Sequence, residues 1–479
     1  MGKEKEDKKE LGIKIKKSED FSEWYSETVI KAGMADYAPI RGFMIIKPYA
    51  YSIWERIQEY FNSVLRKNGV KNAYFPLLIP ESFFKKEAEH AEGFAPELAY
   101  VEGGDEGERL ALRPTSETII YDAYSKWVRS WRDLPLKINQ WCNVIRWEVK
   151  QTKPFIRTRE FLWQEGHCVF GSEDDAVENM NEIINEYRKM AEELLAIPVL
   201  AGKKSIAEKF AGAKTTMTIE ALMPDGKALQ MGTSHNLGDN FAKAFNVKFR
   251  GKDEKDYYAF QTSWGFSTRL IGAMIMVHGD DKGLVIPPKI AENKAVIVPI
   301  LFDDSRDKVL KKCREIAKKL DKFGVILDDR EGYSPGWKFN EWELKGIPLR
   351  IEIGPRDLAS KKITIVRRDN GKKEHVVEGK IMQRVGKILE EMQGEMYRKA
   401  EKFLHSRIDS AKDIKELHKK LKEGKIIKVY MKNSKEIEAE LRDKTAGANS
   451  RIIEDVAKEG KCVVSGENVK TMAYVAKGY

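Results

Sequence analysis

The stretch from Gln140 to His167 constrains the fold of this chain more than any other. Its first part is rich in the β-branched and aromatic residues that favour a strand, namely Trp141, Val144, Ile145, Trp147 and Val149. The segment from Lys150 to Pro154 predicts a turn, and a second apolar run begins at Phe161. These features predict a long antiparallel hairpin with a basic tip that carries Arg157 and Arg159.

Arg146 and Glu148 are two positions apart in the first predicted strand, so their side chains are expected on the same face. A guanidinium beside a carboxylate on a rigid strand suits an anionic phosphate together with a nearby cationic or amide group. For this segment alone, a structural hairpin whose arginines face water remains the alternative.

Length and composition are typical of a globular chain with several domains. The 479 residues allow two to four domains, and 42% hydrophobic with 33% charged residues indicates a highly charged surface. No run of eighteen apolar residues is present, so no membrane span is expected, and the charged N-terminus lacks the apolar core of a secretory signal. We therefore expect a cytoplasmic protein.

The formal net charge of +10 favours a polyanionic partner. From Met396 to Tyr479, 20 lysines and arginines stand against 13 acidic residues, so the excess lies mostly at the C-terminal end. An ordinary solvated surface would explain this balance, whereas the motifs below favour contact with tRNA.

Three further stretches have the composition of a substrate site. Thr115, Ser116 and Glu117 follow Pro114, which also predicts the start of a helix. Strands at residues 215–219 and 228–232 flank a Pro-Asp-Gly turn, so Glu220 and Gln230 are expected to be neighbours. Arg269 opens an amphipathic helix after a short strand. An arginine sits poorly with a helix N-terminus and therefore indicates an anionic partner.

Together and in this order, these segments resemble the motifs of class II aminoacyl-tRNA synthetases. Tyr51–Val64 and the apolar segment after it resemble motif 1, the hairpin motif 2, and the stretch around Arg269 motif 3. The strings TSE, IRWE, FLWQEGH and GTSH are similar to those of prolyl-tRNA synthetases. The 95 residues at 168–262 leave no room for the inserted editing domain of the bacterial type, so the archaeal and eukaryotic-like type is the better match.

The resemblance, over roughly residues 20–479, implies an α+β fold. We expect a charged extension at residues 1–20, then a class II catalytic domain with an antiparallel sheet at 21–290. An α/β anticodon-binding domain is expected at 291–395 and a small α+β C-terminal domain at 396–479. The strand–helix–strand pattern between residues 295 and 330 independently predicts a βαβ unit with parallel strands. Motif 1 implies a homodimer.

The same resemblance implies proline–tRNA ligation with L-proline, ATP, Mg²⁺ and tRNA(Pro). The residues implied for L-proline are Thr115, Glu117, Arg146, Trp163, Phe210 and His235. Those implied for ATP are Arg146, Glu148, Arg157, Gln230, Thr233, Ser267 and Arg269, with Arg146 and Arg269 as the catalytic pair. Glu220 and Gln230 are the expected Mg²⁺ ligands, since Mg²⁺ prefers oxygen. The residues implied for the anticodon are Trp337, Glu341, Arg350 and Arg356.

The C-terminal region departs from the family pattern. Archaeal-like relatives bind zinc there through four cysteines, whereas this chain keeps only Cys462 and has Ser465 where a second cysteine is expected. We therefore expect no zinc, with apolar packing around Val463 in its place. The terminal Tyr479 matches the family's C-terminal tyrosine, whose carboxylate reaches toward the catalytic domain.

Two alternative functions remain at this point. A synthetase-like RNA-binding protein without catalysis would usually lack Arg146, Arg269 and Glu220, all of which are present. A class II synthetase for another amino acid is disfavoured by the TSE, FLWQEGH and GTSH strings.

Overall fold

A computed structural model of the chain describes residues 12–88, 97–105 and 107–479. Of the predicted N-terminal extension, residues 1–11 lie outside this description. The rest of the extension packs on the body of the protein, where the Lys17 ammonium donates to the carbonyls of Met276 and Gly279 at 2.7 Å each. Among the described residues, no helix is long and apolar enough to cross a membrane.

The first part of the chain, through His278, mixes helices and strands. Its helices are α1 (Phe21–Lys31), α2 (Pro48–Lys67), α3 (Glu81–Ala88), α4 (Glu117–Trp127), α5 (Glu173–Lys189), α6 (Asn240–Phe245) and α7 (Arg269–His278). Its strands are β1 (Ala35–Tyr37), β2 (Met44–Ile46), β3 (Lys71–Asn72), β4 (Leu78–Pro80), β5 (Tyr100–Asp105), β6 (Glu108–Leu112), β7 (Leu136–Ile145), β8 (Glu160–Phe170), β9 (Leu200–Lys203), β10 (Thr215–Leu222), β11 (Ala228–Gly238), β12 (Lys248–Arg250), β13 (Asp256–Tyr258) and β14 (Phe260–Ser267).

The second part of the chain forms two further units. The middle unit contains β15 (Ala295–Pro299), α8 (Arg306–Lys319), β16 (Val325–Leu327), α9 (Pro335–Lys345), β17 (Leu349–Ile353), α10 (Pro355–Ser360), β18 (Lys362–Arg367), β19 (Lys373–Val377) and the long helix α11 (Ile381–Ser406). The C-terminal unit contains β20 (Ile408–Ser410), α12 (Ile414–Lys422), β21 (Ile426–Tyr430), α13 (Lys435–Thr445), β22 (Asn449–Lys461) and β23 (Asn468–Ala476).

One eleven-stranded sheet combines strands of the first part of the chain with strands of the C-terminal unit. Its order is β20-β21-β23-β22-β9-β10-β11-β14-β8-β7-β3. All neighbours in it are antiparallel except the two outermost pairs, β20 with β21 and β3 with β7. The strands of the C-terminal unit join the catalytic strands through one pairing, Ile453 with Lys203. The predicted α+β fold with an antiparallel catalytic sheet is therefore confirmed.

Aromatic packing fixes the sheet beneath helix α2. Trp54 and Phe61 are fully buried on its apolar face, and their rings meet those of Trp141 and Phe266 edge to face at 5.0–6.4 Å. Edge-to-face aromatic pairs at this spacing add about 0.5–1.5 kcal/mol each beyond the area that they bury. Because Trp141 is on β7 and Phe266 on β14, this packing holds both strands in a fixed relation.

The predicted hairpin is present as β7 and β8, which pair in a continuous antiparallel register from Leu136–Val169 to Ile145–Glu160. The prediction that Arg146 and Glu148 share a strand face is wrong, since β7 ends at Ile145 and Glu148 lies in a turn. Beyond Ile145 the amide of Arg146 still donates to the carbonyl of Arg159 at 2.7 Å, but the amide of Arg159 donates to the carbonyl of Gly42 at 2.9 Å instead of returning a bond to Arg146. The loop between β1 and β2 thereby takes the next ladder position.

The middle unit confirms the βαβ prediction. Strands β15 and β16 are parallel and are joined by α8, while β17 extends the sheet in parallel and β18 and β19 follow antiparallel. All five residues of β15 are buried, as expected for a central strand covered on both faces.

Candidate active site

A cavity of about 220 Å³ opens on the face of the sheet formed by β8, β10, β11 and β14. All six residues predicted for the amino-acid substrate line this cavity, namely Thr115, Glu117, Arg146, Trp163, Phe210 and His235. Gln230 and Thr233, which were predicted for the nucleotide, line it as well. Residues up to 120 positions apart in sequence therefore meet in one small pocket.

The floor of the cavity is a buried network centred on Glu165. Its carboxylate accepts hydrogen bonds from Gln140 Nε2 at 3.0 Å and from the amide of Ser116 at 3.3 Å, and it lies 3.1 Å from His167 Nε2. Burial alone would raise the pKa of Glu165, but the hydrogen bond and charge of His167, together with the hydrogen bonds from Ser116 and Gln140, outweigh burial and hold this pKa below the ordinary value. The Glu165–His167 pair is therefore ionised, and it fixes the first turn of α4 through Ser116.

Glu117 is the carboxylate that the network presents to the cavity. It is the first residue of α4, is almost fully buried, and accepts a short hydrogen bond from the Thr115 hydroxyl. Burial raises the pKa of Glu117, and the nearby Glu165 charge adds to this rise. A cationic amine would favour the ionised form of Glu117.

Arg146 follows the last residue of β7 and lines the cavity together with Glu117. Its guanidinium lies 5.3 Å from the ring centre of Phe161 and 5.8 Å from that of Trp163. Its Nε atom makes a long contact of 3.5 Å with the Pro114 carbonyl, and within the described part of the chain its Nη atoms have no hydrogen-bonding partner. Burial lowers the pKa of Arg146, although the acidic residues nearby oppose this effect. A half-buried guanidinium with free donors at a cavity is suited to a carboxylate or phosphate.

Phe210 and His235 form the apolar wall of the cavity. Their rings pack 4.7 Å apart, and His235 Nδ1 lies 2.9 Å from the hydroxyl of Thr216. The same hydroxyl accepts the amide of Phe210 at 3.0 Å, so Thr216 positions both rings. Burial lowers the pKa of His235 to about 3, which keeps the imidazole neutral.

Several residues that line the cavity are not among those predicted from the sequence: Glu165, His167, Glu208, Thr216 and Ser263. A signal was available for two of them, because Glu165 and His167 follow Trp163 at two-residue intervals and therefore share its strand face. Ser263 is 2% exposed, and its hydroxyl has no partner within the described residues, so it is available to a ligand.

The other residues predicted for ATP surround the cavity without lining it. Arg269 begins α7 and donates from Nη1 to the carbonyl of Gln230 at 3.2 Å and from Nε to that of Ile156 at 3.1 Å. Burial lowers its pKa to about 10, and the neighbouring Arg146 adds to this effect. Ser267 accepts the amide of Arg269 at 3.2 Å. Glu148 and Arg157 are exposed in the loop between β7 and β8.

The expectation that Glu220 binds Mg²⁺ does not agree with its surroundings. Glu220 and Gln230 are cross-strand partners, as predicted. However, Glu220 is fully buried, and one carboxylate oxygen lies 2.7 Å from the Lys204 ammonium while the other lies 2.7 Å from Arg451 Nη2. A Mg²⁺ ligand needs a free oxygen and room for water. The described residues contain no cluster of three or more histidine, cysteine or acidic side chains that could hold a metal ion.

The residues predicted for the anticodon are divided between surface and interior. Trp337 stacks on Tyr333 with ring centres 4.1 Å apart, and Arg356 is exposed. Glu341 accepts from Lys345 at 2.8 Å. Arg350 does not agree with its predicted role, because it is buried and donates to Glu352 at 3.0 Å.

Cys462 lies in the apolar core of the C-terminal unit, together with Val463 and Val475. Its sulfur accepts the amide of Lys432 at 3.4 Å. Tyr479 reaches the catalytic sheet as expected, although the contact is made by its phenol, which donates to Asp225 at 2.7 Å.

Each of the three units of the chain matches a known protein family. The family described as "tRNA synthetase class II core domain (G, H, P, S and T)" matches residues 100–278. "Anticodon binding domain" matches residues 294–388, and "Prolyl-tRNA synthetase, C-terminal" matches residues 414–479. The fold, the cavity and these matches place the chain among the class II aminoacyl-tRNA synthetases.

Curated relatives show which family of class II synthetases the chain belongs to. A proline–tRNA ligase of Natranaerobius thermophilus is 48% identical over 454 residues, which is 94% of this chain and 94% of that protein. A proline–tRNA ligase of Alkaliphilus oremlandii is 48% identical over 472 residues, or 96% of each chain. One of Cenarchaeum symbiosum is 46% identical over 475 residues, or 98% of this chain and 100% of that protein. The chain belongs to the proline–tRNA ligase family.

Proposed function

We propose that this protein activates L-proline with ATP and transfers the prolyl group to the 3′ end of tRNA(Pro), using the cavity at Glu117 and Arg146. One observation carries the proposal: the buried carboxylate of Glu117 and the half-buried guanidinium of Arg146 line the same small cavity, which Phe210 and His235 also line. This arrangement suits a zwitterion with a short apolar side chain, because each charged end of the substrate meets its opposite.

In this proposal, Glu117 and Thr115 bind the secondary ammonium of proline, which has two N–H donors. Trp163, Phe210 and His235 enclose the ring, and the neutral state of His235 fits an apolar neighbour. Arg146 binds the proline carboxylate. The cavity volume of about 220 Å³ supports a small amino acid and leaves little room for a large side chain.

The chemistry then requires no side-chain nucleophile. A carboxylate oxygen of proline attacks the α-phosphorus of ATP, the bond to the β-phosphate oxygen breaks, and prolyl-adenylate and pyrophosphate form. A ribose hydroxyl at the tRNA 3′ end next attacks the carbonyl carbon of the adenylate, and AMP leaves. Catalysis in both steps rests on positioning and on neutralising phosphate charge.

The nucleotide is proposed to lie beyond Arg146, toward Arg269. Arg146 contacts the α-phosphate and Arg269 the γ-phosphate, while the exposed Arg157 reaches the phosphates from the loop between β7 and β8. Glu148, Gln230, Thr233 and Ser267 complete the binding site. The family implies a divalent metal in addition to ATP. Of the two predicted ligands, Gln230 has its side chain at the cavity, whereas Glu220 is committed to Lys204 and Arg451.

For tRNA, we propose that the middle unit contacts the anticodon. The stacked rings of Tyr333 and Trp337 and the exposed Arg356 support this, because unpaired bases stack on aromatic side chains and phosphates bind arginine. Glu341 remains a candidate for a base edge.

A homodimer and a cytoplasmic location are part of the proposal. Large apolar side chains are exposed around the β1–β2 hairpin and the motif 1 segment, including Tyr37 at 61%, Ile40 at 59% and Tyr74 at 71%. Apolar exposure of this kind is typical of a surface that a partner covers. We further propose that the C-terminal unit holds no zinc, since Cys462 is packed among apolar side chains.

The test is proline-dependent ATP–pyrophosphate exchange, with each of the twenty amino acids offered separately and without tRNA. We expect proline to give the strongest signal, with weak exchange for alanine or cysteine because they fit the same small pocket. Exchange led by another amino acid would move the chain to a different specificity. Absence of exchange with all twenty would refute the assigned catalytic activity.

A further inference from the structure

We propose that Arg451, on strand β22 of the C-terminal unit, is a positioning residue for the ATP end of the active site. Its guanidinium occupies the place at Glu220 where a divalent cation was expected. The inference rests on the proposed function and adds to it a second role for the C-terminal unit, which would help to shape the nucleotide site.

The contact itself is buried and geometrically well formed. Arg451 Nε and Nη2 donate to the same oxygen of Glu220 at 3.0 and 2.7 Å. The other oxygen of Glu220 accepts from Lys204 at 2.7 Å and from the Thr218 hydroxyl at 2.9 Å. Both carboxylate oxygens are therefore satisfied by protein groups, and Arg451 is anchored by a further donation to Asn449 at 3.2 Å.

A short path connects this contact to the nucleotide residues. Glu220 is the cross-strand partner of Gln230, at a point where the register of β10 and β11 shifts. The Gln230 carbonyl in turn accepts Arg269 Nη1 at 3.2 Å, and the Gln230 side chain lines the cavity. Displacement of Glu220 would therefore move the backbone that orients Arg269, the proposed γ-phosphate ligand.

The C-terminal tail, residues 477–479, also contacts the hairpin of β10 and β11. The amide of Ala228, the first residue of β11, donates to the carbonyl of Lys477 at 2.8 Å. Gly478 bridges to Ala228, and a Cβ atom at Gly478 would lie 2.5 Å from Arg451 Nη1. Glycine at this position thus leaves room for the guanidinium between the tail and Glu220.

The charges in this region are unbalanced in a way that suits a polyanion. Lys204 and Arg451 together carry one positive charge more than Glu220, and Arg269 is close enough to Glu220 and Arg451 to interact with them electrostatically. Positive charge fixed by the fold before ATP arrives needs no reorganisation when the triphosphate binds.

The experiment compares Arg451→Met with wild type in ATP–pyrophosphate exchange, with separate titrations of ATP and proline. We expect the KM for ATP to rise about 10- to 100-fold, as for a misplacement of the order of 1 Å, with the KM for proline nearly unchanged. Arg451→Lys keeps the charge but loses the two-pronged geometry, so it should restore part of the ATP affinity. Gly478→Ala should shift the KM for ATP in the same direction by a smaller factor.

The matched control is Arg407→Met, because Arg407 lies in the same region and donates to the Glu423 carbonyl at 2.7 Å, away from the cavity. It should leave both KM values at the wild-type level. An Arg451→Met protein whose two KM values are unchanged, or rise together, would overturn the inference while leaving the proposed function intact. A wild-type protein without exchange would instead overturn the proposed function, and this inference with it.

A magnesium titration of Glu220→Gln distinguishes a structural role of Glu220 from a role as a magnesium ligand. If Glu220 binds only protein groups, the Mg²⁺ concentration for half-maximal exchange at saturating ATP should match that of wild type. A rise of about tenfold or more would identify Glu220 as a metal ligand and overturn the inference. Circular dichroism spectra and thermal midpoints of all variants establish that each protein is folded.

Discussion

Replacement of Arg146 by alanine tests the centre of the proposed site. Arg146 is the residue assigned to both substrates, and its guanidinium lies 5.3 Å from the ring centre of Phe161 and 5.8 Å from that of Trp163. Its Nε–Pro114 contact of 3.5 Å contributes little to folding, and its Nη atoms have no partner within the described residues. The free donors should therefore act on ligands, so the substitution should cost activity far more than stability.

The magnitude follows from the two free Nη groups. If each donates one charge-assisted hydrogen bond in the transition state, the loss is about 1.5–3 kcal/mol per bond, or about 3–6 kcal/mol in total. At about 1.4 kcal/mol for each factor of ten, kcat/KM for proline-dependent exchange should fall about 10²- to 10⁴-fold. The loss should appear in kcat as well as in KM, because the α-phosphate gains charge only in the transition state.

The assay is pyrophosphate exchange at saturating ATP, accompanied by thermal unfolding. Arg132→Ala is the control, since Arg132 is an exposed arginine that lies over the ring of Trp131. It should retain wild-type exchange. A folded Arg146→Ala protein with exchange within about threefold of wild type would refute the role of Arg146, because the energy of two hydrogen bonds to a charged group cannot be that small.

Three further predictions concern the surrounding groups. Burial raises the pKa of Glu117, so on acidification its carboxylate should become protonated at a higher pH than an ordinary glutamate. Below that pKa the KM for proline should rise about tenfold per pH unit. The KM for ATP should stay unchanged and serves as the internal control. Glu165→Gln should lower the free energy of unfolding by about 3–5 kcal/mol, measured by urea denaturation, because it leaves the buried His167 without its counter-charge. Cys462→Ser should leave metal content unchanged, and about one zinc per wild-type chain in elemental analysis would contradict a zinc-free C-terminal unit.

Local sequence patterns predict much of this fold. The hairpin of β7 and β8, the start of α4 at Glu117 and the βαβ unit of β15, α8 and β16 all follow from periodicity, turn residues and caps within some thirty positions. Of the six residues predicted for the amino acid, only Trp163 on β8 and His235 on β11 lie on strands, and the other four reach the same cavity from the start of α4, the residue after β7 and the loop before β10.

The failures at Glu148 and Glu220 depend on a partner that is remote in sequence, whereas the failure at Arg350 depends on a partner two residues away. Nothing near Trp147 indicates that the carbonyl of Gly42 would take a hydrogen bond from the end of the hairpin. Arg350 belongs to an apolar strand flanked by charged residues, so its pairing with Glu352 within the sheet could not be separated from exposure by pattern alone. Residue type and spacing describe what a side chain is able to do, while its partners decide what it does.

Glu220 is a case in which the partners of a side chain change the function proposed for it. Its type and its position opposite Gln230 favour a metal ligand, yet Arg451, 231 residues later, turns it into a structural anion beneath the nucleotide site. Lys204, Arg451 and the nearby Arg269 together carry more positive charge than Glu220 neutralises, which favours a triphosphate. The fold therefore holds the ATP end of the site in a state that binding of the nucleotide completes.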